Sequence, residues 1–216
     1  MLLLSIFQDP VVGIIFLAII IFSLTLHEFA HALVANWAGD PTAKIEGRLT
    51  INPLAHLDLV GSIMLLIIGF GWGKPVPVNP AYFRNKSSEI WVSLAGIITN
   101  LIIALIISII LKVLVSAGIS GTHSFLVQIL NLAAVLNIAL ASFNILPIPP
   151  LDGSHLIEPL MSPPMRETYQ NFGPYLLLGI IIYDQVSGSS IFLQLIRPLI
   201  LALSKIIGID PTMLVG

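Results

Sequence analysis

The chain has 216 residues, 56% of them hydrophobic and only 9% charged, with a formal net charge of -2. Soluble domains carry about 25% charged residues, so most of this chain cannot face water. The weak acidic balance also leaves no basic footprint for a nucleic-acid partner. There are no cysteines, which excludes disulfides and thiolate metal sites, so a transition metal would have to be held by His, Asp or Glu.

The N-terminus lacks a basic stretch, and Asp9-Pro10 interrupts the first apolar run. It therefore reads as a retained segment rather than a cleaved signal. A bilayer core of about 30 Å needs roughly 20 mainly apolar helical residues. Val11 to Trp37, Ile90 to Ala117 and Phe125 to Leu146 each reach that length. Asp58 to Phe70 and Phe172 to Tyr183 are shorter and favour re-entrant or tilted segments. The last run, Ile191 to Ile209, is interrupted by Arg197-Pro198 and carries Lys205. It could span, or it could lie in the interface.

Between these runs, Lys44 to Asn52 alternates loosely, and so does Lys74 to Val78. Pro75 and Pro77 confine the second stretch to an edge strand or an open extended path. Lys44 and Arg48 follow the first span, and Lys74, Arg84 and Lys86 precede the second, whereas 118–124 carries no Lys or Arg. Basic loops face the cytoplasm. Both fall on that side, with the N-terminus outside, only if Asp58 to Phe70 enters the membrane and returns. Trp37, Trp72, Tyr82 and Trp91 lie near span ends and read as interfacial anchors. The expected fold is all-α and polytopic: three core transmembrane helices, a re-entrant segment, possible short edge strands, and a C-terminal helical hairpin or interfacial helices.

Within the first span stands His27-Glu28-Phe29-Ala30-His31. Residues four apart share one helix face, so two imidazoles can chelate one metal while Glu28 reaches a water beside it. This is the zincin arrangement, with two His ligands and a Glu that takes the proton from water. A pair of core histidines or a proton relay would be the plainer readings. Against them, ionisable groups inside a membrane span are costly and mark function.

Catalytic zinc takes three protein ligands as a rule. His56, Asp58, His123, Asp152, His155 and Glu158 are candidates for the third. His123 falls in the outside loop, while His56 and His155 read as polar residues near the membrane surface, His155 close enough in sequence to support Asp152. Asp152 is favoured: prolines before it can break the helix at membrane depth, and Gly153 permits a tight turn. The topology brings it to the level of His31. As a cap, it would have no such role.

His-Glu-x-x-His in a membrane helix, joined to Asn144-x-x-Pro147-x-Pro149-x-Leu151-Asp152-Gly153 after a later one, resembles the site-2 protease family of intramembrane zinc metalloproteases. The likeness covers about 11–158 and is to the short bacterial branch without PDZ or CBS domains. It implies one Zn2+ per chain held by His27, His31 and Asp152, with Glu28 as catalytic base. Asn144 matches an asparagine thought to help hold the substrate, although it could instead cap its helix. The chain departs from the family where Ile97 follows Ala95-Gly96, with Asn100 retained, and where Ser154 follows Gly153.

The resemblance implies one membrane-embedded protease domain over 1–216, with a catalytic core at 11–158 and a C-terminal helical region at 172–209. The activity implied is cleavage of a peptide bond in or near the transmembrane segment of a single-span or other membrane protein. The site would open toward the cytoplasmic side of the cell membrane, and the Lys74 to Asn79 edge could pair with the unwound substrate. The rival readings are a membrane metal transporter and an inactive relative acting as a binding partner.

Overall fold

The structure is a computed structural model and describes residues 9–85, 87–119 and 124–210. It is built from six main helices: α1 (Pro10–Ala38), α2 (Leu59–Ile68), α3 (Ser88–Ser116), α4 (Phe125–Asn144), α5 (Pro163–Ser187) and α6 (Ile191–Ile207). α1, α3 and α4 are long and apolar enough to cross a membrane. His123 and Lys86 lie outside the described residues. The chain divides into two compact units, Met1–Thr99 and Asn100–Gly216.

In the first unit, Asp9 caps α1 by accepting the Val12 amide, and Pro10 occupies the first helical position. Both features favour helix initiation. α1 ends at Gly39, whose φ of +112° only glycine adopts easily. The buried stripe of α1 is small or polar: Ser23, Thr25, His27, Ala30, His31 and Ala35. Val11, Ile14, Phe22 and Trp37 are exposed on it. This reverses the soluble pattern and suits lipid outside and close helix packing inside.

α2 is 10 residues long, about 15 Å by helical rise, and is capped by Asp58 on the Gly61 amide. The chain then doubles back along it. A Cβ at Gly61 would stand 2.1 Å from the Trp72 carbonyl oxygen, so the return path demands glycine there. Leu57 bridges Gly73, and the Lys74 amide donates to the His56 carbonyl. The excursion from 58 to 72 thus ends where it began.

The possible short edge strands do not form, and the open extended alternative does: among the described residues that one antiparallel bridge is all the pairing present. Pro75, Pro77 and Pro80 carry no amide proton, so the stretch after Gly73 cannot sustain a ladder. It runs instead as an extended strap held by side chains.

In the second unit, Asn100 of α3 donates to Asn137 of α4 across 2.9 Å, and Asn137 donates to the Ala133 carbonyl. Both asparagines are fully buried. The Ser108 hydroxyl donates to the Ile207 carbonyl at the end of α6, and Phe143 meets Phe192 edge-on at 5.4 Å.

α5 begins at Pro163, nine residues before the apolar run at Phe172, because Ser162-Pro163 starts a helix rather than only breaking one. α6 continues through Arg197-Pro198 instead of being interrupted there. A proline costs one amide bond, which neighbours at membrane depth can offset. α5 and α6 meet at 109°. Asp184 makes the corner by accepting the Ile191 and Phe192 amides, which caps α6 from α5.

Candidate metal centre

His27 and His31 stand one turn apart on α1, their Nε2 atoms 3.0 Å from each other and their rings edge to face. Both side chains are buried, at 4% and 7% exposure. Nδ1 of His31 lies 2.7 Å from the Val92 carbonyl oxygen on α3. A carbonyl only accepts, so Nδ1 carries the proton and Nε2 is left with its lone pair directed at the His27 side. Tetrahedral zinc with bonds of about 2.0–2.1 Å separates two ligand nitrogens by roughly 3.3 Å. The imidazole pair fits such an ion with little adjustment.

α3 supplies a second feature one turn further on. A Cβ at Gly96 would stand 2.4 Å from His27 Cε1 and 2.5 Å from Nε2 of both imidazoles. Glycine is the only residue that leaves the two Nε2 atoms their room. In an α-helix the amide of residue 96 bonds to the carbonyl of residue 92. One turn of α3 therefore orients His31 at one end and makes way for both imidazoles at the other.

Glu28, half-buried, accepts the Val76 amide on Oε2 at 3.2 Å. The strap that carries Val76 is pinned along its length. Arg48 donates to the carbonyls of Lys74 (2.6 Å) and Pro75 (3.1 Å), and Asp40 accepts the Asn79 amide at 2.7 Å. Asp40 also accepts the amide and hydroxyl of Thr42. Burial works to raise its pKa, but the bonds from Thr42 and Asn79 outweigh it and hold the carboxyl below its ordinary 3.8.

The second unit holds Asn144 and Asp152. α4 ends at Asn144, and a proline-rich loop with a cis Pro149-Pro150 bond returns the chain so that the Gly153 amide donates to the Asn144 carbonyl at 2.7 Å. A Cβ at Gly153 would meet the Ile145 carbonyl oxygen at 2.2 Å, which explains glycine after the aspartate. Asp152 is half-buried, with Oδ2 shielded from solvent. The Asn144 side-chain amide donates to the Leu140 carbonyl at 3.0 Å, a bond back along its own helical turn.

Beyond the loop, Glu158 is 1% exposed. It accepts from Gln170 at 2.9 Å, with His155 Nδ1 at 3.2 Å and Arg166 Nε at 3.8 Å. The Tyr169 hydroxyl donates to the Pro147 carbonyl at 2.8 Å. α5 is thereby tied to the loop that carries Asp152.

Among the sequence candidates, His27, Glu28 and His31 are brought together on one turn, and Asn144 and Asp152 share one loop. Asp58 is a helix cap. His56 is fully buried rather than at a surface, its Nε2 2.8 Å from the Thr50 carbonyl oxygen. Gly96, Arg48 and Asp40 were not legible as parts of this arrangement, and Glu158, one of the candidates for the third ligand, sits with Gln170, His155 and Arg166. Only the glycine carried a signal, as a small residue inside a long apolar helix.

Two buried imidazoles and an adjoining carboxylate on one turn of a lipid-suited helix are a donor set that suits a metal ion in a membrane protein. The chain belongs to peptidase family M50, the site-2 proteases, whose family model matches residues 15–183. It is 44% identical to YwhC of Bacillus subtilis (strain 168) over 168 residues, covering 76% of this chain and 75% of that one. It is 33% identical to Rip2 of Mycolicibacterium smegmatis over 179 residues, covering 79% and 66%, and 32% identical to Rip2 of Mycobacterium tuberculosis over 158 residues, covering 70% and 58%. The names of these relatives assign them zinc metalloprotease activity as an expectation. No solved structure matches. The chain is thus a membrane-embedded zinc metalloprotease.

Proposed function

We propose that the chain is an intramembrane endopeptidase that hydrolyses a peptide bond in or beside the transmembrane segment of a partner membrane protein. Residues 1–216 act as a single protease domain. The observation that carries this reading is the buried His27–His31 pair with Glu28 beside it, in the C-terminal half of a 29-residue apolar helix.

His27, His31 and Asp152 are the proposed zinc ligands. Asp152 is carried by the family motif and by the topology inferred from the basic loops, and the return of the 58–72 excursion to its own start supports that topology. When bound, zinc polarises the scissile carbonyl and makes hydroxide available near neutrality.

The chain's own groups do the rest. The Glu28 carboxylate takes the proton of the attacking water and passes it to the leaving amine. The half-buried Asn144 offers its carboxamide to the substrate backbone, as its family counterpart is thought to do. The site opens toward the cytoplasmic side of the cell membrane, with the N-terminus outside. Water must reach this depth, so a polar cavity should lead to the site.

The test is incubation of purified, zinc-loaded protein with a panel of single-span membrane proteins beside the Glu28→Gln variant, with fragments mapped by mass spectrometry. Cuts within or next to the span, present with wild type and absent with the variant, are expected. Cleavage that persists in Glu28→Gln, or cuts confined to soluble loops, would overturn the reading. A metal transporter would move zinc equally well after the Glu28→Gln change.

A further inference from the structure

The strap from Gly73 to Asn79 has an unusual chemistry. Pro75 and Pro77 carry no amide proton, so Val76 provides the one main-chain donor between Lys74 and Val78. That donor is committed to Glu28, 48 residues away in sequence. The carbonyl of the same peptide unit, that of Pro75, accepts from the Arg48 guanidinium, as does the Lys74 carbonyl before it. One rigid peptide plane is thus gripped at both ends, by Arg48 on its oxygen and by Glu28 on its nitrogen. The C=O and N–H of a trans peptide point in opposite directions in a fixed plane, so holding the oxygen aims the N–H. Hydrogen bonds in such a chain also polarise and strengthen one another.

Arg48 is 5% exposed, and burying a guanidinium is costly unless its donors are used. Its planar fork spans two successive carbonyls, which the point charge of a lysine cannot do. The Arg48 amide is itself anchored to the Ala43 carbonyl at 2.7 Å, and the Lys74 amide to the His56 carbonyl at 2.8 Å, so the clamp is fixed at its base.

The structure assigns Arg48 the role of a positioning residue for Glu28: through the Pro75–Val76 peptide it fixes the donor that holds one carboxylate oxygen and leaves the other to the reacting water. The assignment rests on the reading of Glu28 as the catalytic base. Val76 contributes only its backbone, so its side chain is replaceable. Arg48 touches no reacting atom.

The test uses full-length, zinc-loaded protein in detergent, with Arg48→Ala, Arg48→Lys and Glu28→Gln. Hydrogen exchange at the Val76 amide, resolved by NMR, reads the clamp without reference to activity. Arg48→Ala should speed that exchange at least about 10-fold, with Arg48→Lys between it and wild type. On a single-span fusion protein that wild type cleaves, Arg48→Ala should lower kcat roughly 10- to 100-fold with KM and zinc content unchanged, and Arg48→Lys should restore part of the loss. If Arg48→Ala does not fold, Arg48→Lys alone carries the comparison.

A Val76 amide that exchanges equally fast in wild type and variants, or a kcat that survives loss of the fork, overturns the inference. Those results leave the proposed function standing if Glu28→Gln is inactive. Retained cleavage in Glu28→Gln overturns the function instead, whatever the Val76 amide does.

Discussion

His31 takes its orientation from the main-chain carbonyl of Val92, 61 residues further along the chain and 2.7 Å from Nδ1. The same helical turn places Gly96 against the ligand nitrogens of His27 and His31. Gly96→Ala should therefore cost the metal before it costs the fold. Zinc affinity is expected to fall by at least about 100-fold, beyond the 10- to 100-fold typical of losing a partner behind the ligands, while helicity stays at the wild-type level. Metal titration beside circular dichroism checks this, and full zinc content in Gly96→Ala would refute the cradle.

Glu28→Gln separates holding the metal from using it. The change keeps the shape and removes the proposed base, so zinc should remain at about one per chain while turnover drops roughly 10²- to 10⁴-fold. His27→Ala and His31→Ala should lose both. The measurement is metal content by mass spectrometry on the same preparations used for cleavage.

Asn100 and Asn137 join α3 to α4 by a buried amide bond. The coupling between Asn100 and Asn137 should be worth about 0.6 kcal/mol and at most about 1.7 kcal/mol, the range for such bonds at membrane depth. Unfolding in mixed micelles, with Asn100→Ala, Asn137→Ala and the double variant completing the cycle, isolates the pair. An interaction term of zero would show that packing alone joins the helices there.

Asp40 sets an acid limit on the strap. Its folded pKa lies below 3.8, so its stabilisation is complete above the unfolded value and fades as pH falls through the lower, folded one. Asp40→Asn should lower Tm at pH 7, and the gap to wild type should close as pH drops below 3.8. A gap that stayed constant with pH would mean that the Asp40 charge contributes nothing.

Helix spans and the metal pair were legible in the sequence because each is local. Length and hydropathy identify α1, α3 and α4, and the four-residue spacing of His27 and His31 follows from helical geometry alone. Of the two paths that Pro75 and Pro77 left open for Lys74 to Val78, an edge strand or an open extended stretch, the structure takes the second, because the missing amides of the prolines deny a ladder its donors. The apolar run from Phe172 marks only the later part of α5, because the residues from Pro163 to Asn171 are mostly polar and give no hydropathy signal. Arg48, Gly96 and the Val92 carbonyl were out of reach for another reason. Their parts depend on which backbone atom lies opposite them, and no pattern in the chain specifies that.

The turn from Val92 to Gly96 also limits how the protein can move. A screw displacement of α3 by one residue, about 1.5 Å along its axis and about 100° around it, would bring the side chain of Ala95 or Ile97 to the imidazoles and withdraw the carbonyl from His31. α1 and this turn must then travel as one body, a mechanical fixed point. Under the proposed function, an opening that admits a substrate helix has to be a motion of other segments, and a crosslink between α1 and the first turns of α3 should leave entry unhindered.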